Sequence, residues 1–497
     1  MLFMRILHVN FVPLVEGPAR AGGVAGYMQN LALCQRDLGH TVGALSSGDG
    51  YKPDLQGRGL GRVHWRQIEP WRGIDRLRIV NSPILAPALW QFGRAEADGA
   101  DPALEGIFSE IVTQWRADVV HFHTLEGLTA SCIQAAKNAG SRVVMSLHNH
   151  HAFCPQVYLM RGRRIPCVDY EGGRACVECE QSIDIKSEQF RRAGLMETSP
   201  PSIEPPPLAP IMRFEEDGSF SAETQVLIEQ SHALWQPLDN VPPDSDLARE
   251  SHNGYGDRRR AMAGALSECD RVLAVSEFVR SLAVSMGVRE SQVVVQPIGT
   301  LPCERLAMPK RGEHDPLRVV FLGFNNYYKG LAMFVDAIGF LPAALRSRVH
   351  LSAFGPGCPS IRERAEAIRP GLAGLEMGGP YSREDLPDLL RDRHIGIVPS
   401  VWWDNGPQTL MEFQARGIPV LGADLGGIPD RIEHGVNGLL FRGNDRRDAA
   451  EQLKRLLTER GLLGRLWGGT EPGPTIAEHS AEVVGVYEEL LESSPRS

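Results

Sequence analysis

Short apolar runs rich in β-branched residues recur along the chain and alternate with stretches of helical spacing. Arg5–Asn10, Thr41–Leu45, Ala117–His123, Ser141–His148, Arg271–Val275 and Val293–Gln296 form one series. Leu317–Gly323, Val349–Phe354, His394–Val398 and Ile418–Leu421 form a second. Runs that are apolar throughout, rather than alternating, predict strands buried on both faces, as in parallel sheets. Between them, Val24, Met28, Leu31 and Leu38 repeat at helical spacing, as do Leu410, Met411 and Phe413 before Gly417, and Val483, Val484, Tyr487 and Leu490 within a final helix from Ile476 to Leu491. Alternating strand and helix predicts doubly wound α/β architecture, here twice over.

Length agrees, since 497 residues exceed what one core holds. The expected division is an N-terminal domain over 1–300, a linker over 301–316, a C-terminal domain over 317–470 and a closing helical segment over 471–497. Within the first domain, 152–180 is a cysteine-rich loop and 181–256 an insertion. The insertion is acidic and proline-rich, with Pro205, Pro206 and Pro207 in a row, a composition of loop rather than core. One short helix near Thr224–Leu234 fits its pattern. A net charge of -9 gives no nucleic-acid signature. No apolar run is long enough to span a bilayer and no charged leader precedes one, so the expectation is a cytoplasmic protein.

Ligands of open α/β sheets sit at the carboxyl ends of strands. Several such ends carry candidate chemistry. Val398 to Glu412 reads as a strand end, an exposed loop with Asn405 and Gly406, and a helix opening after Pro407. Helix starts offer unpaired amides and a positive dipole to phosphate. Asp404 and Glu412 flank that turn as acceptors for sugar hydroxyls. Lys329 lies between another strand end and a helix start, suited to neutralising phosphate, or simply solvated. Gly22-Gly23 and Gly426-Gly427 let backbone approach a ligand. The first of these loops lacks the Gly-x-Gly-x-x-Gly fingerprint of dinucleotide binders. His121 and His123 share one strand face, and His123, at its tip, is the better placed. Arg62, Arg66, Arg72, Arg76 and Arg78, with Trp65, Trp71 and the apolar Ile84–Phe92 (Trp90 included), suit an anionic membrane surface, an anionic acceptor, or a solvated basic face. Cys154, Cys167, Cys176 and Cys179 could hold a structural tetrahedral zinc, or stay reduced thiols.

Taken together, Gly22-Gly23 with Gly39-His40, Asp118–His123, Ser276-Glu277-Phe278, Gly323 with Lys329-Gly330, Gly355–Gly357, Pro399-Ser400, Glu412, Gly417–Val420, and Gly426-Gly427 with Gly435–Gly438 resemble the retaining glycosyltransferases of family 4 (group 1) in order and spacing. His148 to Cys179 is similar to a subgroup with a His-Asp-x-x-x-x-Cys-Pro motif and a cysteine-rich loop. The resemblance implies a GT-B fold, two Rossmann-like domains facing across a cleft, with the last helix crossing back to the first domain. It implies a nucleotide diphosphate sugar as donor and a glycan or lipid-linked hydroxyl acceptor, in polysaccharide or glycolipid assembly. It implies that Lys329 holds the diphosphate, that the amides after Asn405 (Gly406 included) and the Thr409 hydroxyl cap it, that Glu412 binds the ribose and that Asp404 binds the sugar. His123 would lie by the transferring sugar, Gly22-Gly23 by the leaving phosphate, and Gly426-Gly427 on the donor. No catalytic metal or other cofactor is implied. Three positions depart from the pattern: Asp404 replaces a Glu, Phe324 follows Gly323 where an Arg is usual, and Asn149 replaces the Asp after His148. A non-catalytic nucleotide-sugar binder, or an epimerase or hydrolase on the same fold, stays open as an alternative.

Overall fold

The structure is a computed structural model. It describes residues 2–15, 22–88, 93–162, 165–177, 179, 184–197, 221, 237–243, 254–324 and 326–493. The expected helix near 224–234 and Trp90 lie outside these. The chain forms two compact units. The first comprises Met1–Ile203, Pro242–Leu301 and Pro474–Ser497; the second comprises Glu204–Val241 and Pro302–Gly473. The insertion is therefore divided: of its described residues, 221 and 237–241 group with the second unit and 184–197, 242–243 and 254–256 with the first.

In the first unit, β1 (Arg5–Val9), β2 (Thr41–Gly50), β3 (His64–Trp71), β4 (Ile74–Val80), β5 (Val119–Phe122), β6 (Arg142–Leu147), β9 (Arg271–Ala274) and β10 (Val293–Val295) form one sheet in the order β10-β9-β6-β5-β1-β2-β4-β3. A two-stranded ribbon of β7 (Met160–Arg161) and β8 (Ile165–Pro166) stands apart. All sheet pairings are parallel except β3 against β4. The Arg/Trp-rich segment is thus an edge hairpin. Its tryptophans serve packing: the Trp65 indole N–H donates to Glu110 and Trp71 packs against the cluster of Met28, Val42 and Ile74. The apolar run that follows is core as far as it is described, with Ile84, Leu85 and Ala86 buried.

The final helix, Ile476–Glu492, belongs to this first unit. Thr475 and Glu478 close a capping box at its start. Its apolar stripe, Val483, Val484, Tyr487 and Leu490, packs on Met4, Ile6, Val119, Val144 and Leu273 from four neighbouring strands. That stripe covers a sheet face that would otherwise be wet.

In the second unit, β11 (Leu317–Leu322), β12 (Val349–Phe354), β13 (Gly374–Met377), β14 (Ile395–Val398), β15 (Val420–Asp424) and β16 (Gly438–Arg442) run parallel in the order β13-β12-β11-β14-β15-β16. Both central strands, β11 and β14, are buried almost throughout, in line with their unbroken apolar sequences. Both units have the reversal of strand order that places ligand crevices at strand tips. Among the described residues no helix is long and apolar enough to cross a membrane.

Candidate functional site

The tips of β11, β14 and β15 bring the expected residues of the second unit together. After β11, the chain turns through Lys329 and Gly330 into the helix Leu331–Gly339. The turn is tied by Asn326, whose side-chain oxygen accepts from the Lys329 amide at 3.1 Å. Gly330 has φ of 75°, and a Cβ there would lie 1.7 Å from the Pro399 carbonyl oxygen. Only glycine lets these two loops touch. The touch aims the Lys329 ammonium at Asp404, whose Oδ2 it meets at 2.7 Å. Ser400 donates to the same oxygen at 3.0 Å. The pair is asymmetric: the Asp404 side chain is 7% exposed and that of Lys329 32%, so the cation is the reachable partner.

Next to Asp404, Asn405 is 4% exposed and both polar atoms of its amide are buried without a hydrogen-bond partner. Buried amides are normally satisfied, so this one is poised for a partner outside the protein. The helix Gln408–Ala415 starts just beyond, after Pro407, and among the described residues no side-chain hydrogen bond caps it. Thr409, in its first turn, stands beside Gly323 at the tip of β11. One turn further, burial raises the Glu412 carboxyl above its ordinary range, and Arg416 and Arg383 oppose that rise. Phe324, where an Arg is usual, is 40% exposed and brings no charge.

Two expected ligand contacts are closed. The Gly427 amide donates to the Asp404 carbonyl at 2.7 Å. The Gly426 amide donates to the Asn240 side-chain oxygen at 2.7 Å, and the Asn240 amide returns a bond to the Gly426 carbonyl. Gly426 has φ of 60° and a Cβ there would lie 2.1 Å from the Asp404 carbonyl oxygen. This glycine pair therefore serves to lay one loop over another, rather than to open backbone to a ligand. Asn240 comes from the acidic insertion, where Leu238 donates to the Gly443 carbonyl and Asp239 pairs with Arg442. No sequence signal marks it: its partner is 186 residues away.

In the first unit, Gly22 and Gly23 open the helix Gly22–Asp37, where the sequence predicts a loop. His123 sits at the tip of β5 but is 1% exposed. It bonds His8 at 2.9 Å and His148 at 3.2 Å, and His8 bonds Gln35 at 2.7 Å. His121 is engaged by Tyr487 at 2.5 Å and Ser146 at 2.8 Å. Burial holds these histidines neutral, with His8 pulled down to about 4 and His148 to about 3. Donor atoms of His8, His121 and His123 lie within 4.8 Å of one another, the geometry of a metal site. Both nitrogens of each ring are already hydrogen-bonded within the protein, so the trio reads as a connected core. Asn10, just past the tip of β1, is 2% exposed with neither amide atom paired. Like Asn405 it is a buried amide without partners, as both ring nitrogens of His40 are, and its place after a buried strand is its hint in the sequence.

The departure at Asn149 has a local cause. Its amide donates at 2.9 Å to Glu126, a carboxylate 3% exposed whose affinity for a proton is raised by burial. An Asp there would set two carboxylates against each other. The four clustered cysteines line one cavity together with Arg259, and burial pushes Cys167 and Cys176 up to about 12.

Known proteins share this layout. Residues 22–170 match the family model "Glycosyl transferase 4-like domain", and 316–459 match "Glycosyl transferases group 1". Over 190 residues the chain is 34% identical to a D-inositol 3-phosphate glycosyltransferase of Streptomyces bingchenggensis, 36% of this chain and 39% of that protein. It is 26% identical to a putative colanic acid biosynthesis glycosyltransferase of Escherichia coli, over 37% of this chain and 47% of that one. The first relatives are matched over 39 to 56% of their own lengths. The solved structure of Anabaena HepE in complex with UDP and glucose superimposes with a TM-score of 0.53 at 13% identity, covering 99% of each chain. The chain has a GT-B fold, built of two Rossmann-like units.

Proposed function

We propose that this chain is a retaining glycosyltransferase, a hexosyltransferase that moves a sugar from a nucleotide diphosphate donor to a hydroxyl acceptor during polysaccharide or glycolipid assembly. The second unit binds the donor and the first unit most of the acceptor. The observation that carries this reading is the group at the tips of β11 and β14: a reachable Lys329 ammonium, an uncapped helix start, and the orphan amide of Asn405. Phosphate, amide and sugar hydroxyl are the partners such a set lacks.

The chemistry follows from charge. When the sugar–phosphate bond breaks, negative charge gathers on the departing diphosphate. Lys329, the helix amides and the Thr409 hydroxyl neutralise it from fixed positions, without solvent reorganisation. Before donor arrives, Asp404 holds Lys329 in place; the diphosphate then takes up the cation and frees Asp404 Oδ2 for a sugar hydroxyl. Glu412 binds the ribose. The acceptor hydroxyl attacks on the face the diphosphate leaves, giving its proton to the leaving phosphate oxygen, so the anomeric configuration is kept. No catalytic metal enters this scheme.

Lys329→Ala and Glu412→Ala each lower donor turnover on the order of a hundredfold or more. Wild-type turnover in both would refute the site. A thermal-shift screen over nucleotide sugars finds the donor, because a ligand of the folded state raises its melting temperature. NMR of the product anomer tests retention. The second reading is a binder that does not transfer. It is favoured by the closed Gly426 amide, and would be upheld by calorimetric donor binding with no sugar released or moved. The protein works in the cytoplasm. Arg62, Arg66 and Arg72, exposed on the edge hairpin, give it a salt-sensitive hold on the inner membrane face; failure to cosediment with anionic vesicles at low salt would remove that hold.

A further inference from the structure

Four cysteines converge in the first unit between β6 and the helix Gly254–Glu268. Cys154 precedes the β7–β8 ribbon and Cys167 follows it, its amide donating to the Leu159 carbonyl at 2.7 Å. Cys176 lies in the single-turn helix Arg174–Val177, and the Cys179 amide turns back to its carbonyl at 3.2 Å. All four line one cavity. None is in a disulfide.

The segment has little regular structure to hold it. Its elements are two strands of two residues and one helical turn. Leu159, Met160 and Tyr170 are buried, but Ile165, Val168 and Val177 are 51%, 55% and 56% exposed and add nothing to a core. Segments this short and loop-rich are held by disulfides or a metal. As they stand, Cys167 and Cys179 also reach the Asp169 and Met160 carbonyls at 3.6 and 3.5 Å as thiols, but two features suit thiolates once an ion is bound. The sulfurs are met by donors: Cys179 accepts from the Gln156 side-chain amide at 3.0 Å and from the Gly162 amide at 3.1 Å, while the Gln156 and Leu159 amides point at Cys154. Amide donors around sulfur orient metal-bound thiolates. A cation also faces the cavity: Arg259 is 3% exposed, anchored by its Nε to the Phe153 carbonyl at 2.9 Å and stacked 3.4 Å over Tyr170, yet its Nη1 has no partner. A buried guanidinium with an unused donor fits beside a net negative centre, which four thiolates around one divalent ion would be.

We propose that Cys154, Cys167, Cys176 and Cys179 bind one structural zinc-class ion, with Arg259 offsetting the charge of the complex. Soft thiolates in a closed set of four select Zn²⁺ and leave no position for substrate. Among the described residues, the group with every donor atom within 4.8 Å of every other is the histidine trio, so the sulfurs stand wider than in a closed site. Binding draws them together, toward the ~3.8 Å spacing that Zn–S bonds of about 2.3 Å impose. The ion pins the loop that leads from β6 into the insertion, whatever reaction the chain performs.

The test uses the full chain. Purified wild type should carry about one zinc per chain by elemental mass spectrometry, and Cys176→Ser/Cys179→Ser at least ten-fold less. Stripping wild type with a chelator should open the loop to trypsin at Arg161 and Arg174, with protection restored by Zn²⁺, and Co²⁺ added to stripped protein should show thiolate charge-transfer absorption. This second measurement needs no variant, so a variant that fails to fold leaves the proposal testable. Folded wild type that holds no zinc and gains no thiolate band with Co²⁺, or in which alkylation and mass measurement find Cys176–Cys179 oxidised to a disulfide, would overturn it.

Discussion

Asn149 shows how one residue's identity follows from its neighbour's charge. The resemblance leads to an Asp at this position; the structure sets a buried Glu126 oxygen 2.9 Å from the side chain, and of Asn and ionised Asp only the amide can donate to it. Asn149→Asp removes that donor and adds a second carboxylate to a buried place. A hydrogen bond to a charged group contributes about 1.5–3 kcal/mol, so a stability loss of that order is expected near neutral pH. The sign with pH follows from burial. The proton affinity of Glu126 is raised in the fold, so the folded state holds its proton to higher pH than the unfolded state does. Its contribution therefore declines as pH climbs from the ordinary carboxylate range, and a second carboxylate facing it in the variant deepens that decline. Denaturant unfolding of both proteins at pH 5 and pH 8 measures it: the gap between them should widen at the higher pH, and an equal gap at both would show that the two carboxylates do not interact.

At the scale of elements, strands buried on both faces were legible because their sequences are apolar throughout; β1, β5, β6, β11 and β14 are such strands. The β3–β4 hairpin was not, since it lies at a sheet edge and its arginines read as a charged face without strand periodicity. β13, Gly374–Met377, was hidden by its brevity and its own edge position. The site splits the same way. Lys329, Asp404 and Glu412 sit at strand tips and helix starts, which local pattern reveals. The Asn240 clasp on Gly426 and the His8–His123–His148 chain exist only once distant strands pair, as His8 does with His121 across β1 and β5. Glycines carry the junctions between these elements. At Gly330, φ of 75° and the 1.7 Å approach of a Cβ to Pro399 make Gly330→Ala incompatible with the loop contact that aims Lys329. A left-handed non-glycine residue costs about 1–2 kcal/mol before any overlap is counted. The variant should melt at lower temperature and lose most of the donor-induced thermal shift. A wild-type shift in Gly330→Ala would mean that Lys329 reaches the donor without that contact.

For the whole molecule, the histidines of the first unit set its response to acid. His8, His121, His123, His148 and His479 meet Tyr27, Tyr487, Gln35 and Ser146, all neutral groups, and the nearby carboxylate that bears on them is Glu482, acting on His479. None of the three buried deepest on the strands has a carboxylate to share a proton with. In the fold, burial pulls His8 down to about 4, His148 to about 3 and His479 to about 4, while unfolded histidines take protons near their ordinary value of about 6.5. Between those values the unfolded chain binds more protons, so stability is full above about pH 6.5 and falls as pH drops toward 4. A histidine with a folded value near 4 forfeits about 2 kcal/mol at pH 5, and because the rings are neighbours the penalties of the cluster do not simply add. The second unit has His394, also pulled to about 4, but no comparable cluster among its described residues. Acid should therefore open the first unit before the second. Hydrogen exchange followed by peptide mass spectrometry at pH 7.5 and pH 5 reads this directly: peptides from β1, β5 and the helix Ile476–Glu492 should lose protection at pH 5 while those from β11 and β14 keep it. His8→Gln, which removes one titrating ring but keeps hydrogen-bonding atoms, should shallow the acid slope. Equal protection of both sheets at pH 5 would place the acid sensitivity elsewhere than in the buried histidines.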